Sequence, residues 1–474
     1  MNIERLLDPH RYAHPVERVE LLETHISWVL LAGRFAYKIK KPIVLPFLDY
    51  GSVDKRRACC RAELRLNRRY APRLYLDVVE LDGEPAVKML RFDEAARLDN
   101  VSQRGELTAR HLSDLARTVA AFHAEAQPAP LDSRFGSPEL VLATAMENFD
   151  ELDSLLPGHA PRLARLRAWT GGEFERRRPA IAERLIQGRV RECHGDLHLG
   201  NLVLLDGKVV PFDCIEFNDA LRWIDVANEI AFTYVDLLDH GKPGLACWLI
   251  NEWLVWSGDF GALALLPFYA VYRAVVRAKV AAIRGRGAEA AEYLTMAEAL
   301  TARPAPTLTI TFGLSGSGKT TLSGARLLSD QRAATIRLRS DVERKRLFGL
   351  APDAASGGAI YDAEATARTY ARLEQLARQA IGDGWSVIVD AAFLRRAERD
   401  ALRGLARSLG VDFAILPCTA SPEELRRRLA ARAGDASEAD AVVLERQLGW
   451  LEPLDAAEIA SVDQGQSRLR SAGS

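Results

Sequence analysis

Hydrophobic and polar positions alternate differently along the chain and divide its first 300 residues into two regions. Segments 25–50 and 73–92 are rich in β-branched and aromatic residues and contain turn signals, which predicts strands. Segment 53–70, between them, is rich in Arg, Ala and Leu and predicts a helix. Farther along, apolar residues recur at three- and four-residue spacing, which predicts helices. The pattern therefore indicates a small β-rich lobe over about 1–93 and a larger helical lobe over 94–302.

Two prolines mark the clearest boundary in the chain. Pro304 and Pro306 disfavour a helix and favour an extended linker over 303–306. The β-branched run Thr307–Phe312 follows and predicts the first strand of a new domain over 307–474. We therefore expect an α+β bilobed domain over 1–302, followed by an α/β domain with a parallel sheet.

Composition and charge narrow the class of protein. Hydrophobic residues make up 48% and charged residues 27%, as in ordinary folded proteins. The formal net charge of −1 lacks the basic excess of nucleic-acid binders, although a local basic groove stays open. Six scattered cysteines without a C-x-x-C pair indicate a reducing compartment. The chain shows no 18-residue apolar run and no signal peptide, so we expect a cytoplasmic protein without a membrane span.

A glycine-rich segment after the predicted strand carries the strongest chemical signal. Residues 313–320 read GLSGSGKT and fit the pattern G-x-x-x-x-G-K-[ST]. Glycines let backbone amides surround phosphate oxygens, a lysine then reaches the β- and γ-phosphates, and a Ser or Thr hydroxyl ligates Mg²⁺. The motif predicts ATP and Mg²⁺ as cofactors. The predicted binding residues are Gly313, Ser315, Gly316, Ser317, Gly318, Lys319, Thr320 and Thr321.

Four further residues of this domain are candidates for its chemistry. Asp341 follows a predicted strand and can accept the proton of a substrate hydroxyl, or it only caps the helix 342–348. Arg344, one helical turn later, can clamp a substrate or phosphate. Asp390 ends another strand and can hold the Mg²⁺ shell or orient the acceptor. Arg432, at the end of an arginine-rich helix, is the predicted catalytic arginine of a lid, although most such arginines lie on solvated faces.

These motifs resemble the small-molecule and polynucleotide kinase branch of the P-loop kinases. The resemblance covers 307–455, and members of this branch include gluconate kinase, polynucleotide kinase, zeta toxins and chloramphenicol phosphotransferase. It implies a P-loop NTPase fold and phosphoryl transfer from ATP to a hydroxyl, with Asp341 as the base. The neutral charge of the domain argues against a polynucleotide acceptor.

A second motif lies in the first domain, before a predicted hairpin. Asp196 follows a His-Gly pair, Asn201 comes five residues later, and Asp213 ends the second strand of the hairpin. This is the H-x-D-x₄-N layout with a later Asp, in which the first Asp receives the acceptor proton. Asn201 and Asp213 are then predicted to hold Mg²⁺. His194 is expected to brace the loop, whereas the role of His198 stays open.

A protein-kinase-like domain also needs a strand lysine paired with a glutamate on the next helix. Lys38 and Lys40 share one face of a predicted strand because side chains alternate. Lys38 is the first choice for the phosphate contact and Lys40 the reserve, and Glu63 is the expected partner. Asp225 is expected to anchor the catalytic loop, and Glu216 is a further candidate for metal or substrate.

This first region resembles the aminoglycoside phosphotransferase and choline kinase family over roughly 25–300. It departs from the pattern in one respect, because only Gly33 stands where a G-x-G-x-x-G loop would precede Lys38. The whole chain resembles bacterial proteins in which such a domain is fused to a P-loop kinase.

The combined prediction is a bifunctional phosphotransferase that uses ATP and Mg²⁺ and acts on hydroxyl groups of small molecules. Two alternatives stay open. In the first, a nucleotide-sensing pseudokinase regulates one active P-loop domain. In the second, the chain is an ATP-driven switch that acts on a protein or RNA partner.

Overall fold

Two units make up the structure, and each takes residues from two separate parts of the chain. The computed structural model describes residues 3–45, 48–356, 360–431 and 441–462. The first unit consists of Met1–Gly241 and Leu265–Glu298, and the second of Lys242–Ala264 and Ala299–Ser474. The linear division predicted from the sequence, at 303–306, therefore does not account for the segment Lys242–Ala264.

The first unit begins with an antiparallel sheet and one helix packed against it. These elements are β1 (Val19–Glu23), β2 (Ser27–Ala32), β3 (Phe35–Lys40), β4 (Val44–Leu45), β5 (Leu48–Asp49), α1 (Val53–Arg68), β6 (Tyr75–Leu81) and β7 (Glu84–Leu90). Five strands form the sheet in the order β1-β2-β3-β7-β6, so β3 lies at its centre. The Ser52 hydroxyl accepts a hydrogen bond from the Lys55 amide and starts α1. Buried Ala36, Cys60 and Val87 belong to one apolar cluster that joins the sheet to α1.

The rest of the first unit is mostly helical. Its helices and short strands are α2 (Leu98–Gln103), α3 (Ala109–Glu125), α4 (Pro138–Leu155), α5 (Ala160–Ile186), β8 (Val190–Glu192), β9 (Leu202–Leu205), β10 (Lys208–Pro211), α6 (Asp219–Arg222), β11 (Trp223–Asp225) and α7 (Val226–Asp239), with two more after the chain returns. Strand β9 pairs antiparallel with β10, and β8 pairs with β11. Helix α7 is buried on all sides from Val226 to Leu237, which makes it the centre of this lobe. In the described parts of the chain, the helices all fall short of the length and apolarity needed to cross a membrane.

The second unit is a parallel sheet covered by helices. Its first element is α8 (Pro243–Ser257). The chain then returns to the first unit and forms α9 (Leu266–Ile283) and α10 (Gly287–Thr301). The remaining elements of the second unit are β12 (Thr307–Phe312), α11 (Lys319–Leu328), β13 (Thr335–Arg339), α12 (Ser340–Leu347), α13 (Ala363–Gly382), β14 (Ser386–Asp390), α14 (Arg396–Leu409), β15 (Asp412–Pro417), α15 (Pro422–Ala430), α16 (Ala441–Trp450) and α17 (Ala456–Ala460). The strand order is β13-β14-β12-β15, and all neighbours are parallel. Ligands of such sheets bind beyond the carboxyl ends of the strands.

Helix α8 belongs to the second unit because it completes the edge of that sheet. The Asn251 side chain accepts a hydrogen bond from the Arg337 amide at 2.6 Å and donates one to the Thr335 carbonyl at 2.9 Å. The carboxamide thus acts towards β13 as a neighbouring strand would. At the start of the helix, a Cβ on Gly244 would lie 1.9 Å from the Leu328 carbonyl oxygen. Glycine therefore permits the close approach of α8 to the end of α11.

Candidate functional site

Both candidate lysines of β3 contact the same carboxylate in the first unit. The Lys38 Nζ lies 3.0 Å from Glu63 Oε1, and the Lys40 Nζ lies 2.6 Å from Glu63 Oε2. Only Lys38 of these two also pairs with Asp213, whereas Lys40 pairs with Glu216. Burial opposes the charge on each lysine, yet the neighbouring carboxylates hold the pKa of both well above the usual range. The structure thus places Lys38, and not Lys40, beside the predicted metal ligand.

Glu216 lies in the interior of this cluster. Its side chain is 3% exposed and accepts hydrogen bonds from Lys40 and from the Tyr50 hydroxyl. Burial, followed by the Glu216 carboxylate, raises the pKa of Tyr50. Glu216 is therefore engaged with interior partners, and the expectation that it meets metal or substrate directly does not fit its contacts.

Asp196 and Asn201 are joined within one short loop. The Asn201 amide nitrogen donates to the Asp196 carbonyl at 2.9 Å and to its Oδ2 at 3.0 Å. Both contacts use the amide nitrogen, so neither of them engages the Asn201 Oδ1. The His198 Nε2 lies 3.4 Å from Asp196 Oδ2. Burial favours the neutral forms, but each partner outweighs it: His198 lowers the pKa of Asp196, and Asp196 raises the pKa of His198.

His194 holds the loop of Asp196 and Asn201 in place through both of its ring nitrogens. Its Nε2 contacts the Phe212 carbonyl at 2.8 Å, and its Nδ1 accepts a hydrogen bond from the Asp196 amide at 3.3 Å. Burial lowers the pKa of His194, so the ring is neutral near pH 7. One proton on Nε2 satisfies both contacts. These contacts are those of a structural brace, as the sequence predicts.

The backbone of the loop is fixed by side chains of α7. Glu229 accepts hydrogen bonds from the His194 amide at 2.6 Å and from the Gly195 amide at 2.9 Å. Asp236, two helical turns later, accepts one from the Leu199 amide at 2.7 Å. Asp225, the predicted anchor, acts less directly, since it pairs with Arg184 and caps the start of α7. The anchors of the loop are therefore Glu229 and Asp236, which the sequence reasoning missed.

Three glycines of the glycine-rich loop in the second unit have positive φ angles. Gly313, Gly316 and Gly318 have φ angles of 154°, 82° and 92°. Side chains rarely adopt this region of φ, which explains the choice of glycine. At Gly313 a Cβ would also lie 2.2 Å from the Cys418 carbonyl oxygen. Gly318 is the N-cap of α11, so the start of that helix faces the loop.

The loop has internal partners in this structure. The Lys319 Nζ donates to the carbonyl oxygens of Gly313 at 3.0 Å and Leu314 at 2.8 Å. The Ser315 amide donates to the side-chain oxygen of Gln447 on α16 at 2.7 Å. Ser317 is buried, and its Oγ has no hydrogen-bond partner among the described residues. Gln447, which the sequence reasoning did not identify, therefore holds an amide of the predicted phosphate loop.

The two predicted aspartates, Asp390 and Asp341, lie at or just beyond the carboxyl ends of two neighbouring strands. The glycine-rich loop follows the carboxyl end of β12. Asp390 accepts a hydrogen bond from Ser323 Oγ at 3.0 Å, and the same hydroxyl contacts the Thr320 carbonyl at 3.2 Å. Arg339 is the register partner of Asp390, so Asp341 lies two residues beyond it on the neighbouring strand end. Helix α12 has no side-chain cap bond, and the alternative that Asp341 only caps a helix is not observed.

The remaining predicted residues of the second unit are Arg344, Thr321 and Arg432, and the structure describes the first two. Arg344 is buried and donates to the Ile360 carbonyl at 3.1 Å and to Thr366 Oγ1 at 3.2 Å. Its guanidinium thus links α12 to the start of α13. Thr321 is exposed on the first turn of α11. Arg432 lies outside the described residues.

Two family models match separate parts of the chain. The phosphotransferase enzyme family matches residues 61–242, and the AAA domain family matches residues 308–454. Uncharacterized proteins from Mycobacterium tuberculosis and Mycobacterium bovis are 31% identical to this chain over 465 residues, which is 92% of this chain and 92% of each relative. The chain belongs to the family of these mycobacterial proteins. This chain thus joins a phosphotransferase-type domain to a P-loop kinase-like domain.

Solved structures of kinases resemble one part of this family fold or the other. An aminoglycoside 2'-phosphotransferase-IIIa bound to GDP is 14% identical, with 64% of this chain and 99% of that chain covered and a TM-score of 0.41. A choline kinase from Cryptosporidium parvum is 13% identical, with 60% and 88% covered and a TM-score of 0.40. A sugar kinase from Janibacter is 22% identical, with 35% and 91% covered and a TM-score of 0.27.

Proposed function

We propose that this family member is a bifunctional phosphotransferase that uses ATP and Mg²⁺. Each unit transfers the γ-phosphoryl group to a hydroxyl of a small cytoplasmic acceptor. The observation that carries the proposal is the ion-paired group in the first unit, where Lys38, Glu63 and Asp213 meet although they are far apart in sequence. Kinase chemistry consists largely of positioning and charge stabilisation, and this group supplies both.

The residues of the first unit fit a magnesium nucleotide. The Asp213 side chain is 40% exposed and forms the open end of the group, while the other carboxylates are buried. Asn201 contacts Asp196 through its amide nitrogen, so its amide oxygen and the Asp213 carboxylate would hold the metal, and both groups suit Mg²⁺. When bound, the metal neutralises charge on the phosphates. Lys38 then moves from Asp213 to a phosphate oxygen, and Asp196 orients the acceptor hydroxyl and receives its proton.

The second unit fits the same chemistry with different parts. The loop amides and the start of α11 bind the phosphates, and Lys319 leaves the loop carbonyls to join them. Thr320 and Asp390 would hold the metal, and the Ser323 hydroxyl links Asp390 to the first turn of α11. Asp341 receives the acceptor proton at the neighbouring strand end. Arg344 and Arg432 are the proposed arginines for substrate or phosphate.

The test is ADP release by the purified full-length protein, with and without a cytosolic metabolite extract. Asp196→Ala, Lys319→Ala and the double variant are compared with Lys208→Ala, an exposed lysine in the β9–β10 hairpin. We expect each single variant to remove part of the extract-stimulated release and the double variant to remove it all. If Lys319→Ala alone abolishes release, the first unit is a regulator, and the proposal of two activities is wrong.

A further inference from the structure

The second lysine of β3 is buried too deeply to serve the nucleotide. The Lys40 side chain is 0% exposed, whereas Lys38 is 11% exposed and contacts Asp213 at the open end of the group. Burying an ammonium group is costly unless it is paired, and an apolar side chain would fill the same space more cheaply. Packing alone therefore does not explain why a lysine occupies position 40.

Its contacts connect two segments that the proposed transfer depends on. Lys40 pairs with Glu63 Oε2 from α1 and with Glu216 from the segment after β10. Lys38 pairs with Glu63 Oε1 and with Asp213, which belongs to the same short segment as Glu216. The two lysines thus bridge α1 to 213–216 twice, once at the open end and once in the interior.

The outer bridge changes during the proposed reaction, but the inner one does not. When Lys38 and Asp213 turn towards phosphate and metal, Glu63 keeps Lys40 as its partner on Oε2. Glu216 also keeps Lys40 and the Tyr50 hydroxyl. Without Lys40, two buried carboxylates would compete for Lys38 and draw its ammonium inward, away from a phosphate.

We propose that Lys40 is a positioning residue that holds Glu63 and the 213–216 segment in place, so that Lys38 is free to contact the nucleotide. The inference rests on the proposed function of the first unit. If the inference is correct, nucleotide affinity depends on the balance between the charges of Lys40 and Glu216. Removing one charge is then harmful, and removing both restores the balance.

The experiment measures Mg·ATP affinity by titration calorimetry in the full-length chain carrying Lys319→Ala, so that the first unit dominates the signal. The variants added are Lys40→Met, Lys40→Arg and the double variant Lys40→Met with Glu216→Gln. The matched control is Lys41→Met, the adjacent lysine, which pairs with Glu23 near the surface. We expect about tenfold weaker binding for Lys40→Met, because one partner of a buried charge pair is missing. Lys40→Arg and the double variant should recover most of the affinity, and Lys41→Met should leave it unchanged.

Each other result counts against the inference in a distinguishable way. Unchanged affinity in a folded Lys40→Met variant overturns it, and so does a double variant that binds as weakly as the single one. If thermal melting shows that Lys40→Met and the double variant both fail to fold, the role of Lys40 is structural and the inference is wrong. If the Lys319→Ala reference itself binds no Mg·ATP, the proposed nucleotide site of the first unit is wrong, and the inference is overturned with it.

Discussion

The two candidate sites hold their lysines in different ways. In the first unit, Lys38 contacts the carboxylates of Glu63 and Asp213. In the second, Lys319 donates hydrogen bonds to the backbone carbonyl oxygens of Gly313 and Leu314. The difference extends to the backbone. Glu229 fixes the loop that contains Asp196 in the first unit through a charged side chain, whereas positive φ angles at glycine shape the loop of the second.

From this contrast we infer that the phosphoryl transfer proposed for both units depends on different physical properties in the two sites. The first site depends on which side chains carry charge, because buried charges are costly unless they are paired. The second site depends on backbone conformation, because only glycine adopts those angles without strain. We therefore expect isosteric changes of charge to damage the first site and added Cβ atoms to damage the second.

Gly313→Ala should have the largest effect on the second site. The added Cβ would lie 2.2 Å from the Cys418 carbonyl oxygen, so the loop must shift and its amides lose their alignment. We expect nucleotide binding by this unit to weaken on the order of 100-fold, the scale of a displacement of about 1 Å. The measurement is titration with Mg·ATP in a Lys38→Met background. Gly404→Ala, where an added Cβ meets no atom within 4 Å, is the control. Equal affinities would contradict a backbone-controlled site.

Glu458→Gln tests whether the second unit also contains a charge-dependent anchor, away from its site. Arg399 donates to Glu458 at 2.7 and 3.0 Å, and the pair is buried. Burial opposes ionisation, but Arg399 lowers the pKa of Glu458 from 4.5 to about 2. The carboxylate therefore stabilises the fold above pH 4.5, and this contribution is lost as the pH falls towards 2.

We expect Glu458→Gln to lower the free energy of unfolding at pH 7 by roughly 3 kcal/mol and to flatten its change between pH 5 and 3, since a buried charge loses its partner. Urea unfolding monitored by tryptophan fluorescence measures both effects. Glu445→Gln, whose side chain is 57% exposed and pairs with Arg426 at the surface, serves as the control. A variant with the pH profile of the parent protein would show that the pair contributes nothing.

Glu229→Gln should separate the first site from the second. A carboxamide has one acceptor oxygen, so either the His194 or the Gly195 amide would lose its partner and face an NH₂ group. We expect Asp196-dependent ADP release to fall about tenfold through kcat. Lys319-dependent release should stay the same. Glu125→Gln, at the exposed end of α3, should change neither. Equal loss at both sites would indicate a general loss of folding.

Gln447→Ala should have the smallest effect, in the opposite direction. The carboxamide oxygen lies 2.7 Å from the Ser315 amide and competes with a phosphate oxygen for it. We expect about threefold tighter Mg·ATP binding by the second unit, the size of one neutral hydrogen bond. Val442→Ala, an exposed position on the same helix, is the control. Weaker binding would show that Gln447 assists the nucleotide.

Local patterns in the sequence predict much of the fold and select the candidate residues of both sites. The period of apolar positions locates α1 and the strands around it, and the motifs identify Asp196, Asn201 and Gly313. The sequence could not decide between Lys38 and Lys40, because alternation places both on one face of β3. The decision depends on where Asp213 and Glu216 lie, 175 and 176 residues away from their lysines.

Other features had a weak signal or none. Glu229, Thr233 and Asp236 are polar residues at helical spacing in a mostly apolar helix, a pattern that could have identified the loop anchors. The placement of α8 had no local signal. Its apolar residues show that the helix is buried, but Asn251 finds its partners 84 and 86 residues later in the chain.

The position of α8 has a consequence for inheritance. Because Lys242–Ala264 lies between segments of the first unit but belongs to the second, the chain passes from one unit to the other and back before the prolines at 304 and 306. One recombination event at those prolines would deliver the sheet without the helix that serves Thr335 and Arg337, and would leave that helix with the other half. We therefore expect the coding regions of the two units to be inherited together. Exchanging either unit intact would require two additional crossovers within the first 300 codons.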